Sequence, residues 1–372
     1  MNISLERRGT SKPWLLAAVP IGSVLVGIIV GGLFLAITGR DPFTVYTSIA
    51  QTSFTTLYGM SDTLTTATPL ILTALAAAVA FKVNLYQIGA EGQLYLGAIF
   101  SAAAGIALGG APALIALPLV ILAGGVGGGA WVFLPALFRA WFGTSEIITT
   151  LMFNFVALFL ARYLIYGSSS YWRDPTSKNF PQGKQLLPST WLPRFGAQSV
   201  HWGLVISLLA ALAIWVLVNR TRFGYSMRVL GDAPNAARYS GIPVRRMTMS
   251  VLLISGALAG FAGATEVAGR AHALDPNGLA IGIGYAGIIV AALARLNPFS
   301  VVVIAIGFGG LQNSATSLQS LGADSVPSSI ATLLQGIILL LALAGELFIR
   351  YRIRIRKVEI SKMESSKMDV TS

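Results

Sequence analysis

From Trp14 almost to Arg350 the chain repeats apolar runs separated by short polar connections, each about as long as the roughly 20 residues a bilayer-spanning helix needs. Backbone N–H and C=O groups in hydrocarbon must be paired within the protein, so such runs fold as helices. Candidate spans cover residues 14–37, 64–81, 88–108, 111–138, 147–166, 202–218, 249–269, 279–293, 298–318 and 327–349. The expected fold is all-α: a polytopic transmembrane helical bundle of about ten spans, one domain over residues 1–372. The first run exceeds a signal-peptide core and reads as a retained signal anchor. A broken or re-entrant helix near residues 43–60 is compatible with the same pattern.

Composition excludes several classes of function. With 55% hydrophobic and 11% charged residues, the chain holds more apolar surface than one soluble core could bury. The absence of cysteine rules out disulfides, thiolate zinc sites, Fe–S clusters and a cysteine nucleophile. His201 and His272 lie far apart and form no HExxH, so they read as loop histidines at the membrane surface rather than metal ligands. There is no GxxxxGK[ST] segment to cradle nucleotide phosphates. Any ATP-driven step therefore needs another chain. An ion-coupled secondary transporter is the alternative, and it would need membrane-embedded carboxylates; the spans offer mainly Glu91 and Glu266.

The formal charge of +12 follows the spans and indicates no nucleic-acid partner. Lys and Arg accumulate in cytoplasmic loops, which puts both termini inside, with a basic cytoplasmic tail at 350–372 and membrane lipid as its neighbour. The longest external segment is then Gly167–His201. Gly27 with Gly31, Gly124 with Gly128, and Gly256 with Gly260 form GxxxG pairs that would let helices cross closely.

Two segments carry chemistry. In the cytoplasmic loop at about 220–247, Asp232 can cap a helix, Pro234 is tolerated in its first turn, and Gly241 with Pro243 ends it. The expected helix runs from Ala233 to Ser240, about two turns. So short a helix is unstable alone; flanked by Arg228, Arg238, Arg245 and Arg246, it suits either a partner's groove or anionic lipid headgroups. The other segment, Asn84–Gly97, brings Glu91 and Gln93 into a small, apolar run. Glu91 either touches substrate or sits near a helix N-terminus, whose dipole favours an anion.

Four blocks in order resemble a known family. Tyr86-Gln-Ile-Gly-Ala-Glu-Gly-Gln-Leu-Tyr-Leu-Gly97 resembles the "FNIGAEGQ" signature of bacterial ABC-importer permeases for nucleosides and simple sugars, distant relatives of the branched-chain amino acid permeases. Gly231-Asp-Ala-Pro-Asn-Ala-Ala-Arg-Tyr-Ser-Gly-Ile242 resembles the family's cytoplasmic coupling segment. Ser145–Asn154 and Ser255–Gly269 follow at the family's spacing, and the likeness extends over about 60–345. Gln87 stands where the signature has Asn, and Ile283-Gly-Tyr-Ala-Gly-Ile-Ile lacks the Phe-Asp pair of "GFDGIAVA".

The resemblance implies a multi-pass permease in the bacterial cytoplasmic membrane, working with an ABC ATPase subunit that binds the ATP and Mg, a second permease chain and an extracellular solute-binding lipoprotein. No cofactor is expected in this chain. Asp232, Asn235, Ala237, Arg238, Tyr239 and Gly241 would couple to the ATPase, and Gly89, Glu91, Gly92 and Gln93 would form the signature part of the pathway. A nucleoside pathway should set aromatic faces beside amides. Phe153, Asn154, Gln312 and Asn313 are candidates for it, or else make interhelical hydrogen bonds.

Overall fold

The computed structural model describes residues 2–7, 13–177, 179–196, 198–279, 282–318 and 351–356, with short stretches between 333 and 345. The chain divides into two compact units, residues 1–42 with 333–372, and 43–332. In the first unit, β1 (Asn2–Arg7) precedes α1 (Pro13–Ile37) and pairs antiparallel with β2 (Tyr351–Arg356). The register sets Ile3 opposite Ile355 and Leu5 opposite Ile353. The basic tail thus begins as a strand, where an all-α chain was expected; its alternation of Ile and Arg has the two-residue period of a strand.

The second unit is helical: α2 (Pro42–Ala50), α3 (Leu57–Phe81), α4 (Ala90–Ala107), α5 (Ala113–Leu137), α6 (Glu146–Arg162), α7 (Gly203–Arg220), α8 (Arg222–Asp232), α9 (Pro234–Tyr239), α10 (Val244–Glu266), α11 (Ile283–Leu293) and α12 (Pro298–Leu318). Among the described residues five helices, counted with the turns that extend them, are long and apolar enough to cross a membrane: those beginning at Leu57, Ala113, Glu146, Gly203 and Val244. Of the ten expected spans, the one at 279–293 needs correction. Among the described residues there, only the eleven of α11 are helical, about 16 Å at 1.5 Å per residue, half of a hydrocarbon core of about 30 Å. Gly282, at φ +88°, starts the helix late. Most of the expected span at 327–349 lies outside the described residues.

Burial sorts the helices into centre and rim. The apolar windows of α3 and α10 are 83% and 72% buried, those of α6 and α7 only 22% and 28%. The rim helix α6 leaves Ile148, Met152, Phe155 and Phe159 exposed, as lipid or a neighbouring subunit would require. At the centre two of the expected GxxxG pairs prove to be one contact. A Cβ on Gly128 of α5 would lie 2.3 Å from the Gly256 carbonyl of α10, and one on Gly260 would lie 2.2 Å from the Gly124 carbonyl. Gly97 of α4 enters the same crossing, 2.3 Å from the Gly260 carbonyl by the same measure. Without glycine the three backbones could not approach this closely.

Candidate functional site

Between α3 and α4 the backbone leaves the helix from Lys82 to Gly89, and non-helical backbone within a bundle needs partners other than water. Neighbouring helices supply them. The Tyr86 amide donates to Glu146 Oε1 (3.1 Å), and Glu146 is paired with Arg139 (3.1 Å). The Ile88 amide donates to Thr150 Oγ1 (3.1 Å), and its carbonyl accepts from Asn154 Nδ2 (2.7 Å). Asn154 Oδ1 accepts from the Gly92 amide (2.8 Å), and Nδ2 also donates to the Tyr285 hydroxyl (3.2 Å). Gly92 is held so close that a Cβ would stand 2.8 Å from Asn154 Oδ1.

Glu91 is buried at the start of α4, and its carboxylate reaches a second helix start. Oε1 accepts from the Gly282 amide and Oε2 from the Gly284 amide, both at 2.7 Å. The carboxylate thus caps the N-terminus of α11, where unpaired N–H groups and the helix dipole favour an anion. Gln87 bonds Ser255 through its amide nitrogen, and its oxygen accepts from Gln93 Nε2 (2.8 Å). Ser255 in turn donates to the Ala76 carbonyl (2.6 Å). The Gln that departs from the family's Asn is therefore one link of an amide chain joining α3, α4 and α10.

The cytoplasmic segment differs from expectation in its start. Asp232 closes α8 rather than capping the next helix; Ala233 precedes α9, with no side-chain cap. The preceding residues from Arg222 form an amphipathic helix whose Met227 and Leu230 are buried, so the chain enters α9 from a helix, not a loop. The end of α9 matches expectation. Ile242 N donates to the Ala237 carbonyl (3.0 Å) and Gly241 N to that of Arg238 (3.2 Å), with Gly241 at φ +77°, the Schellman pattern. Of the coupling candidates, Ala237 is fully buried, while Asp232, Asn235, Arg238, Tyr239 and Gly241 are exposed, Tyr239 to 93%. A six-residue helix with five of its residues exposed has little reason to stay helical unless something covers it.

The two segments are tied to each other. Asn84, in the left-handed region at φ +56°, donates from Nδ2 to the Gly231 carbonyl at 2.6 Å. A Cβ on Gly231 would meet the Lys82 carbonyl at 2.3 Å. Between the α5–α6 turn and α9 lies a cavity of about 1150 Å³, lined in part by Asn84, Arg139, Trp141, Arg238, Arg245 and Arg246.

The remaining candidates sit in separate helix contacts. Phe153 packs on Trp131 with centroids 5.2 Å apart, and its carbonyl accepts from that indole. Asn154 belongs to the α4–α6–α11 junction described above. Half-buried Asn313 bonds the Gly59 carbonyl of α3 at 3.4 Å, and Gln312 beside it is also half-buried. The carboxylates of the described spans are engaged: Glu91 by α11, Glu266 by Arg270 at 2.6 Å, Glu146 by Arg139 and Asp62 by the Ser199 hydroxyl.

At the other end of α7 the 167–201 segment folds down as a cap. Leu186 and Leu192 are buried, and their amides bond the His272 and Ala268 carbonyls at 2.8 Å. Both histidines are buried beneath this cap, not at the surface as expected. Trp191 stacks on His272 at 4.1 Å, and the Gly203 amide donates to His201 Nδ1 at 3.1 Å. Burial, with Arg194, His272 and Arg270 nearby, pushes His201 down to about 4. A second cavity, of about 830 Å³, opens at this end between Tyr166, the 180–185 stretch and residues 270–278.

Residues 59–343 match the family described as branched-chain amino acid transport system / permease component. The guanosine ABC transporter permease protein NupP of Bacillus subtilis is 34% identical, over 87% of this chain and 91% of its own. A glucose ABC transporter permease of Haloferax volcanii is 32% identical, over 95% and 94%. The nucleoside ABC transporter permease protein NupB of Lactococcus lactis is 30% identical, over 84% and 86%. With most of its length matched by the family and by relatives at 30–34% identity, the chain belongs to the branched-chain amino acid transport system permease component family.

Proposed function

We propose that the chain is the membrane-spanning permease of an ATP-driven importer for nucleosides. It lines the pathway with a second permease chain, receives solute from an extracellular binding lipoprotein and leaves ATP and Mg to a separate ATPase subunit. The observation that carries the reading is α9: a short, well-closed, largely exposed helix that follows directly on α8, whose Gly231 carbonyl is bonded by Asn84 just ahead of the signature segment. A helix of this kind serves to be gripped. The absence of a P-loop in the sequence agrees with hydrolysis elsewhere.

The relatives named for guanosine and nucleosides favour nucleosides as cargo. Simple sugars are the second reading, supported by the relative named for glucose. Ion coupling is disfavoured because Glu91 and Glu266 are both committed to partners within the chain. The pairing of β1 with β2 supports placing both termini on one face of the membrane, and the positive-inside bias makes that face the cytoplasm of a bacterial inner membrane.

The test is Arg238→Glu. This exposed side chain at the end of α9 should lose both the ATPase on purification and nucleoside uptake when its charge is reversed, while the chain still inserts in the membrane. Uptake at the parent rate would contradict the coupling role.

A further inference from the structure

The cavity at the end of the bundle away from α9 joins two kinds of chemistry in one space. Its volume of about 830 Å³ lies within the range of small-molecule pockets. Tyr166 and Phe180 supply aromatic rings, and the amides of Gln182, Gln185 and Asn277 supply donors and acceptors. Asp275 adds a carboxylate whose Oδ1 already accepts from the Asn277 amide at 3.0 Å. The Tyr166 ring is steadied by a bond from Asn277 Nδ2 to its hydroxyl (3.0 Å), while Phe180 stands 82% exposed.

We propose that this cavity is a ligand site for neutral nucleosides, with the base against the Tyr166 and Phe180 rings and the sugar hydroxyls directed to Asp275 and the neighbouring amides. The proposal rests on the importer reading above and adds a recognition site within this chain. Every base has a flat face that stacks on aromatic side chains. The edge of a base carries mixed donors and acceptors, which glutamine amides match in either sense. Paired sugar hydroxyls can donate to a carboxylate, which only accepts when ionised.

The charges select against phosphorylated forms. The arginine in the lining, Arg270, is already paired with Glu266 at 2.6 Å and donates to the Gly278 carbonyl at 3.2 Å. A phosphate would meet the Asp275 carboxylate with that cation engaged elsewhere. A neutral solute meets no such conflict.

The test uses the transporter assembled with its ATPase and second permease in nanodiscs for equilibrium binding of tritiated guanosine, guanosine monophosphate and glucose, alongside uptake of each in proteoliposomes supplied with the binding lipoprotein. Guanosine should bind and the monophosphate should bind at least about tenfold more weakly. Phe180→Ala and Gln185→Ala alter exposed loop residues, changes that leave folding intact. Each should raise the half-saturating guanosine concentration about tenfold, and Asp275→Asn should raise it too, with the ATPase still copurifying. If guanosine is carried and all three variants bind it as the parent does, this site is overturned and the importer reading stands. Preferential binding of glucose, weakened by the same variants, overturns the nucleoside assignment. A transporter that carries neither solute overturns both.

Discussion

At the scale of single residues, Glu91 and His201 show how burial sets chemistry. Glu91→Gln keeps the shape but replaces one acceptor oxygen with an NH2 facing the Gly282 or Gly284 amide. The loss of a charge-assisted bond and the unpaired donor should cost about 2–3 kcal/mol, read as a lower midpoint in a thermal melt of the detergent-solubilised protein; an unchanged midpoint would refute the cap. His201 is held neutral, down to about 4 against 6.5 in an unstructured chain. Above pH 6.5 its packing contributes fully, and as pH falls from 6.5 toward 4 the unfolded form takes up the proton first, so stability declines. The protection factors of the 186–202 amides, referred to the intrinsic exchange rate at each pH, should fall across that window. Part of this was readable from sequence: a carboxylate near a helix start is a natural reading of Glu91, but its partner helix begins 191 residues later, a separation that no local pattern reveals. Asp232 failed as a cap because the amphipathic run before it continues helical through Asp232 itself, and one Asp-x-Pro looks alike at a helix start and a helix end.

At the scale of elements, the chain of contacts runs from α8, which leads directly into α9, through Gly231 and Asn84 into the break before α4, and from Glu91 to α11. Asn84→Gly keeps the left-handed backbone available and removes the bond to Gly231. A lost, partly buried hydrogen bond of about 1–1.5 kcal/mol corresponds to up to about a tenfold change in an equilibrium. The variant should accordingly retain the ATPase but carry about tenfold less solute per ATP hydrolysed; unchanged stoichiometry would break the link. The α5–α10 crossing makes a second demand. Gly260→Val would push a side chain into the Gly124 carbonyl, where even a Cβ stands 2.2 Å away, and should sharply reduce folded protein on size-exclusion chromatography. The GxxxG spacing was visible beforehand, and what it could not say was which pairs meet. The span at 279–293 looked continuous because hydropathy does not register Gly282, whose positive φ begins α11 partway along the run.

At the scale of the whole molecule, hydropathy was enough to establish a helical membrane protein, because a bilayer leaves apolar runs few alternatives. Rim and centre were less legible, since lipid-facing and helix-facing surfaces are equally apolar, and only packing separates α6 from α3. The central claim is that this chain works as the permease of an ATP-driven complex gripped at α9. Its most direct test is to tag the C-terminus, extract the chain in mild detergent and identify what copurifies by mass spectrometry. The account predicts a nucleotide-hydrolysing ATPase together with a permease partner, the ATPase being lost in Arg238→Glu. A chain that emerges alone, with uptake driven by a proton or sodium gradient, would contradict it.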